Sequence, residues 1–369
     1  MIKEILADLV RIDSVSSRSN AEIIEYIEKR CQKLHMMMGY VPYIDKNLVQ
    51  KINLVAVSHR TDKVELALVG HTDTVPYDPN WSEATNLTER DGKLYGRGSC
   101  DTKGFIAAAL TALETVKPEK PLALVFTADE EIGLVGAKVL AENQALRVRY
   151  SIVGEPTSLK PIRAGKGYSL AEVIVKGREA HSAYPALGAS AVFRAARLIN
   201  RLESIATKLR EDQHPAFDPP YTTLNVGVIN GGSAKNVLAG ECRFTLEWRP
   251  IPSQPSDHLL NLFRAAIEEE RKADPGFECE VDASRQDTGF ETSPDSPLVK
   301  LLERVSGKES GTVAFGTEAA QMMLLGSESV VIGPGDIREA HRTGEFVPID
   351  ELERCAEILR QSIQQLCSS

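Results

Sequence analysis

The feature that most constrains this sequence is a set of short apolar runs, each followed closely by His, Asp or Glu. The runs have the length of buried strands, and the segments between them have the apolar spacing of helices. The predicted strands lie at 64–69, 122–126, 150–153 and 329–332, and the predicted helices at 20–38, 105–116, 136–143, 296–306, 318–325 and 350–366. Buried strands that alternate with helices predict an α/β domain built on a mostly parallel sheet.

The middle of the chain has a different element order. It reads as strand, helix, strand, strand, helix, strand, at 169–175, 188–210, 223–229, 241–248, 256–272 and 277–281. This βαββαβ order is that of ferredoxin-like domains. We therefore predict a ferredoxin-like domain at 169–284, inserted into a catalytic domain formed by 1–168 and 285–369.

Composition excludes several classes of protein. Lys and Arg total 43 against 52 Asp and Glu, and this net charge of −9 argues against nucleic acid as a partner. No apolar run approaches the ~18 residues of a membrane span, and Glu4 and Asp8 interrupt the start of the chain, so we expect neither a membrane partner nor a signal peptide. Six cysteines without C-x-x-C spacing favour reduced thiols and a cytoplasmic location.

The candidate metal ligands lie where the predicted strands end. They are His71 and Asp73 after the first strand, Glu130 and Glu131 after the second, Glu155 after the third, His341 beyond the fourth, and Asp101 before a helix. Each has an ordinary explanation alone, such as a helix cap or a solvated turn. Ligands of open α/β sheets bind beyond the carboxyl ends of the strands, so we expect these residues to converge.

Two histidines and several carboxylates fit a pair of divalent metal ions that share one carboxylate. We expect Asp101 to bridge, with His71 and Glu155 on one ion and His341 and Glu131 on the other. Asp73, two residues from His71, is expected to accept its free ring N–H. One of two adjacent glutamates would then ligate while the other serves as general base. Nitrogen and carboxylate ligands favour two Zn²⁺, with Co²⁺ or Mn²⁺ as alternatives.

At these motifs the chain resembles the dinuclear-zinc deacylases and exopeptidases that include acetylornithine deacetylase, succinyl-diaminopimelate desuccinylase, aminoacylase and carboxypeptidase G. The shared motifs are GHTDTVP (70–76), DGKLYGRGSCDTKGF (91–105), TADEE (127–131), GEPTSLKPIRAGKG (154–167) and GPGDIREAH (333–341). The resemblance implies the same five metal ligands, with Glu130 as general base and Asp73 as the orienting residue. Thr102 replaces a common Met and Gly316 a common Cys, which leaves substrate specificity open.

The resemblance also implies roles in the middle of the chain. His181 matches a histidine that reaches the partner's active site in family dimers and helps to hold the oxyanion. Arg249 matches an arginine that binds the substrate carboxylate, and Asn236 and Thr317 match positions beside the substrate. The inserted domain corresponds to the dimerisation or lid domain, so a homodimer is expected.

The implied reaction is hydrolysis of the acetyl amide of N2-acetyl-L-ornithine in arginine biosynthesis, by a metal-bridging hydroxide with Glu130 as general base. Another small N-acyl amino acid, such as acetylcitrulline, acetyllysine or succinyl-diaminopimelate, is the alternative substrate. A non-catalytic protein with a structural metal is a second alternative, although such sites are typically closed and rich in cysteine. A dinucleotide-binding oxidoreductase is a third, but Gly96 and Gly98 are followed by Asp101 where G-x-G-x-x-G needs a glycine.

Overall fold

A computed structural model describes residues 1–144 and 146–368. The chain divides into two compact units. The first comprises Met1–Arg163, Glu291–Gly311 and Thr317–Ser369, and the second Ala164–Phe290 and Thr312–Gly316. The second unit contains the range 169–284, in which the sequence predicts an inserted domain.

The secondary structure alternates helices and strands along most of the chain. The helices are α1 (Ile2–Arg11), α2 (Ala21–Lys33), α3 (Lys103–Thr115), α4 (Val135–Asn143), α5 (Ala191–Leu209), α6 (His258–Ala273), α7 (Pro297–Ser306), α8 (Ala319–Leu324) and α9 (Ile349–Leu366). The strands are β1 (Met37–Ile44), β2 (Gln50–Val57), β3 (Lys63–His71), β4 (Thr88–Arg90), β5 (Lys93–Tyr95), β6 (Leu122–Thr127), β7 (Arg147–Val153), β8 (Ile162–Gly165), β9 (Ser169–Lys176), β10 (Thr223–Gly231), β11 (Glu241–Arg249), β12 (Glu278–Gln286), β13 (Phe290–Glu291), β14 (Gly311–Val313), β15 (Glu328–Val331) and β16 (Phe346–Pro348).

The large sheet is mixed, which corrects the predicted mostly parallel sheet. Its order is β1-β2-β6-β3-β7-β15-β8-β13, with β14 paired to β8. Strands β6, β3, β7 and β15 run parallel, whereas β1 with β2, β2 with β6, and β15 with β8 are antiparallel. The parallel centre is the part that apolar runs predict, because strands covered by helices on both faces are apolar throughout.

One predicted helix is shorter than expected. The sequence predicts a helix over 20–38, but α2 ends at Lys33 and the chain enters edge strand β1 at Met37. Gly39 and Pro42 disfavour a continuing helix, and β-branched and aromatic residues favour the strand. A proline is tolerated in β1 because this strand lies at the edge of the sheet.

Helices α1, α3 and α9 form the core around the parallel strands. Helix α1 buries Ile2, Ile5, Leu6 and Leu9, which share one face at helical spacing. Helix α3 is apolar on all sides and buried over most of its length, and it contacts both α1 and α9. Its N-terminus is thereby held just after Asp101.

The second unit has its own antiparallel sheet and core. The strand order is β10-β11-β9-β12, and helices α5 and α6 contact each other. Alternate residues of β9, Ala171, Val173 and Val175, are fully buried, as expected for a sheet with one covered face. Val228 and Ile229 of edge strand β10 are about half exposed, at 55% and 50%.

Among the described residues, no helix combines the length and the apolar composition that crossing a membrane requires.

Candidate metal centre

The parallel strands bring most of the predicted ligands to one edge of the large sheet. His71 ends β3 and lies opposite Thr127, which ends β6. Glu155 follows the end of β7 by two residues, and the chain after β15 leads to His341. This is the edge at which ligands bind in open α/β sheets.

Asp101 lies between the two histidines. Its Oδ1 is 3.1 Å from Nε2 of His71, and its Oδ2 is 3.1 Å from Nε2 of His341. Nε2 of His341 is also 3.0 Å from Oε2 of Glu131. A single carboxylate thus presents one oxygen to each imidazole, which is the arrangement that a bridging ligand requires.

The donor set fits divalent cations. Ligand atoms of His71, Asp101 and Glu131 all lie within 4.8 Å of one another. Hydrogen bonds with Asp101 and Glu131 raise the pKa of His341 to about 10. Burial opposes protonation of His71, yet the nearby carboxylates, chiefly that of Asp101, raise its pKa well above the ordinary value. The surrounding carboxylates thus stabilise the protonated, positively charged form of both imidazoles, and the same carboxylates would stabilise bound cations.

Glu130 and Glu155 add further negative charge to the same place. Burial and the nearby carboxylates, including Asp101, raise the pKa of both side chains well above the ordinary value. Several carboxylates crowded together are costly unless cations accompany them. Nitrogen and oxygen donors in this number suit zinc, cobalt or manganese.

Asp73 contacts both His71 and the Glu130–Glu131 turn, and one contact differs from the prediction that its carboxylate accepts the ring N–H of His71. Nδ1 of His71 is 3.0 Å from the backbone carbonyl of Asp73, whereas the Asp73 carboxylate is 3.6 Å away. That carboxylate instead accepts the backbone N–H groups of Glu130 and Glu131, at 3.1 and 3.3 Å, and the hydroxyl of Ser16 at 2.7 Å. The main chain of Asp73 thus contacts the His71 ring, and its side chain holds the Glu130–Glu131 turn.

A buried ion pair that was not predicted from the sequence lies beside this turn. Nζ of Lys51 donates to Oδ1 of Asp129 at 2.7 Å, and Tyr43 donates to Oδ2 at 2.9 Å. Asp129 adopts a left-handed conformation, with φ of +58°, immediately before Glu130. The sequence offers one indication of this pair: Lys51 is a charged residue near the start of the otherwise largely apolar strand QKINLVAV.

Thr317 and Glu318 lie in the first unit and are both buried. The Thr317 hydroxyl accepts the backbone N–H of Ala319 at 3.2 Å, so it has a local role at the start of α8. Oε1 of Glu318 accepts the hydroxyl of Thr127, whereas Oε2 is buried with no hydrogen-bond partner. Burial raises the pKa of Glu318 to about 7.

The other predicted residues lie in the second unit. His181 is exposed and forms an isolated bridge with Val237, and its Nδ1 accepts the N–H of Ala183 at 3.1 Å. The backbone carbonyl of Asn236 accepts the N–H of Ser182 at 3.0 Å. Arg249 donates to Glu247 at 2.9 Å, and its guanidinium lies 4.4 Å from the centre of the Tyr168 ring.

Comparisons with known proteins agree on one family. The model of "Peptidase family M20/M25/M40" matches residues 67–365. The chain is 50% identical to an acetylornithine deacetylase of Myxococcus xanthus, over 99% of this chain and 97% of that protein. It is 35% identical to an acetylornithine deacetylase of Yersinia pseudotuberculosis, over 96% of this chain and 93% of that protein.

Solved structures show the same fold at low sequence identity. Aminopeptidase PepT of Bacillus cereus is similar with a TM-score of 0.79 and 22% identity, over 100% of this chain and 98% of that one. The YxeP protein of Bacillus subtilis, described as a dinuclear metal-binding peptidase of the M20 family, has a TM-score of 0.67 and 13% identity, over 99% and 97% of the two chains. On the family model and the full-length relatives, this chain belongs to peptidase family M20/M25/M40.

Proposed function

We propose that this chain hydrolyses the N-acetyl amide of N2-acetyl-L-ornithine to L-ornithine and acetate, a step of arginine biosynthesis. The observation that carries the reaction type is Asp101, whose two carboxylate oxygens face His71 and His341 at 3.1 Å each. The substrate comes from the two full-length relatives named acetylornithine deacetylase. The small-molecule substrate is thus an N-acyl amino acid.

The proposed ligands divide between two cations. Asp101 would hold both, His71 and Glu155 would complete one site, and His341 and Glu131 the other. The YxeP neighbour is described as binding two metals, which supports this count. We propose Zn²⁺ as the native metal, with Co²⁺ or Mn²⁺ as substitutes, because the donors are nitrogen and carboxylate oxygen.

When bound, the cations would polarise the acetyl carbonyl and lower the pKa of the attacking water towards ~7. Glu130 would accept the water proton as the oxygen adds to the carbonyl carbon. It would then return that proton to the amine nitrogen as the C–N bond breaks. Asp73 supports this role, since its carboxylate accepts the N–H of Glu130 at 3.1 Å and so fixes the backbone from which the base projects.

The remaining roles are those of substrate contacts. We propose that Arg249 binds the substrate carboxylate, because a guanidinium can grip a carboxylate with two parallel hydrogen bonds. Asn236 and Thr317 are proposed to lie beside the substrate. His181 is proposed to stabilise the oxyanion of the transition state from a partner subunit, and its exposure in the single chain is compatible with that role.

We also propose that the second unit forms a homodimer and acts as a lid. Phe193 at the start of α5 is 70% exposed, and Val228 and Ile229 on edge strand β10 are exposed as well. Exposed apolar residues on an open strand edge are a liability unless another surface covers them. Pairing of two β10 edges would cover them and would satisfy their free backbone groups.

Placement in the cytoplasm is supported by the cysteines. All six are free and buried in the structure. Unpaired thiols persist in a reducing compartment. We therefore propose that the enzyme acts there.

A substrate panel tests the proposal. The protein is stripped with a chelator, reloaded with Zn²⁺ or Co²⁺, and assayed for kcat/KM on acetylornithine, acetylcitrulline, acetyllysine and succinyl-diaminopimelate. We expect no turnover without metal and the highest kcat/KM on acetylornithine after reloading. A metal-dependent preference for another substrate would refute the assignment of substrate, and metal binding without hydrolysis of any of them would refute the enzymatic function.

A further inference from the structure

Glu345 is a buried carboxylate that the reaction described above does not use. Glu345 as a whole is 0% exposed to solvent. Oε2 accepts a hydrogen bond from Nη1 of Arg97 at 2.6 Å and from the backbone N–H of Gly98 at 3.1 Å. Oε1 accepts the backbone N–H groups of Cys100 and Asp101, at 2.9 and 3.1 Å. Both oxygens therefore have two donors each.

These contacts wrap the 96–101 loop around one side chain. The backbone carbonyl of Glu345 adds a further bond, because it accepts the N–H of Gly96 at 3.1 Å. Gly98 has φ of +79°, a conformation that glycine adopts without strain. A Cβ at that position would also lie 2.8 Å from the Lys103 side chain. The loop conformation thus depends on an anion at its centre and on a glycine at its bend.

Glu345 also connects the two ligand-bearing segments. It follows His341 by four residues in the chain, and it binds the backbone of Asp101 from the other segment. Gly344, with φ of +82°, adopts a left-handed conformation immediately before Glu345. One side chain consequently restrains both the proposed bridging ligand and the segment that carries a terminal ligand.

The charge of Glu345 is balanced within the same cluster. The Arg97 side chain is 5% exposed and the Glu345 side chain 1%. A buried ion pair seldom adds net stability compared with apolar residues of similar size. Its four directed hydrogen bonds, however, fix the geometry of the groups that donate them.

We propose that Glu345 is a positioning residue for the metal centre: it holds the backbone of Asp101 so that the two oxygens of that carboxylate face His71 and His341. This rests on the proposed function, since it assumes that Asp101 binds divalent cations. Residues that support metal ligands typically change metal affinity or activity 10–100-fold when they are replaced. Replacing Glu345 should therefore weaken metal binding and not only folding.

The test compares Glu345→Gln with a matched control in the full-length protein. Glutamine keeps the size of the side chain, but it turns an NH₂ group towards two donors and leaves Arg97 without its counter-ion. The control is Glu270→Gln in the second unit. Glu270 is also buried, at 5% exposure, and also paired with an arginine, since it accepts from Nε of Arg197 at 2.8 Å.

The readouts are the zinc dissociation constant, from competition with a chromophoric chelator, and the visible absorption spectrum of the Co²⁺-loaded protein. We expect Glu345→Gln to weaken zinc binding about 10–100-fold and to change the Co²⁺ bands, whereas Glu270→Gln changes neither. Glu345→Asp keeps the charge but shortens the side chain, so its affinity should lie between wild type and Glu345→Gln. If Glu345→Gln does not fold, the same two measurements on Glu345→Asp test the proposal.

The outcomes separate this inference from the proposed function. Wild-type zinc affinity and an unchanged Co²⁺ spectrum in Glu345→Gln, or in Glu345→Asp if only that variant folds, would overturn the positioning role, whatever the change in stability. An equal loss of affinity in Glu270→Gln would overturn it too, because removing any buried glutamate paired with an arginine would then have the same effect. A wild-type protein that binds no divalent metal would overturn the proposed function itself.

Discussion

Replacing Lys51 with methionine tests whether burial, rather than the distance between the charges, determines how much an ion pair contributes to the free energy of unfolding of this protein. Lys51 and Asp129 are 2.7 Å apart, and their side chains are 1% and 0% exposed. The ammonium also donates to the carbonyls of Ser16 and Arg18, at 2.6 and 2.7 Å. Lys51→Met would leave a buried carboxylate with the Tyr43 hydroxyl as its remaining side-chain donor.

The expected cost follows from that unpaired charge. Breaking a buried pair by removing one partner typically costs ~3–5 kcal/mol. Burial already raises the pKa of Asp129, and any proton that this carboxyl takes up in the variant offsets part of the cost. Lys29→Met is the control, because Lys29 lies 2.6 Å from Glu25 on a helix surface where both side chains are about two-thirds exposed. An exposed pair of that kind is worth about 0.3–0.5 kcal/mol.

Urea unfolding followed by tryptophan fluorescence measures both variants. The chain has two tryptophans, and Trp81 lies in the first unit with Lys51. A Trp248→Phe background therefore makes Trp81 the reporter for that unit. We expect a lower midpoint at an unchanged slope, which indicates a change in stability alone. Equal losses of less than 1 kcal/mol in Lys51→Met and Lys29→Met would refute the reasoning about burial.

Three further predictions concern the site. Glu318 has a pKa of about 7 in the folded protein, so the folded state binds more protons than the unfolded state; its contribution to stability is present below the ordinary glutamate pKa of 4.5 and is lost as pH rises through 7. In chelator-treated protein, Glu318→Gln should therefore flatten the decline in the free energy of unfolding between pH 5 and 8 by up to about 3 kcal/mol. A pH profile of the variant parallel to that of wild type would contradict this. Arg249→Met should raise KM for acetylornithine about 10–100-fold, from the ~1.5–3 kcal/mol of a hydrogen bond to a charged group, and an unchanged KM would exclude the carboxylate contact. If His181 acts in a partner's site, mixing His181→Ala with Glu130→Gln should restore part of the activity through hybrid dimers, and no recovery despite measured subunit exchange would count against it.

The parallel centre of the first unit was predictable because its strands are apolar and are followed by polar residues that are candidate metal ligands. Val69, Val125 and Val153 lie side by side in the sheet, so the residues that follow them share one edge. The convergence of His71 with Glu131 follows from that topology without any long-range information. Edge strand β1 was not predictable in this way, because its residues are partly exposed and lack a clear period.

Supporting contacts of the site were beyond sequence reasoning for a physical reason. Glu345 binds the backbone N–H of Asp101, 244 positions away, and a backbone donor leaves no mark on the sequence. Lys51 and Asp129 are 78 positions apart on different elements, so no local spacing joins them. The position of a ligand can be predicted from the strand that carries it, whereas its supporting contacts depend on packing.

The most direct test of the central claim is hydrolysis of acetylornithine by Glu130→Gln, with bound metal measured in the same sample. Because Glu130 is proposed to carry the proton and not to ligate, the variant should bind as much metal as wild type. Its kcat should nevertheless fall ~10²–10⁴-fold, the usual contribution of a general acid–base group. A metal-loaded Glu130→Gln protein that keeps most of its turnover would contradict the account.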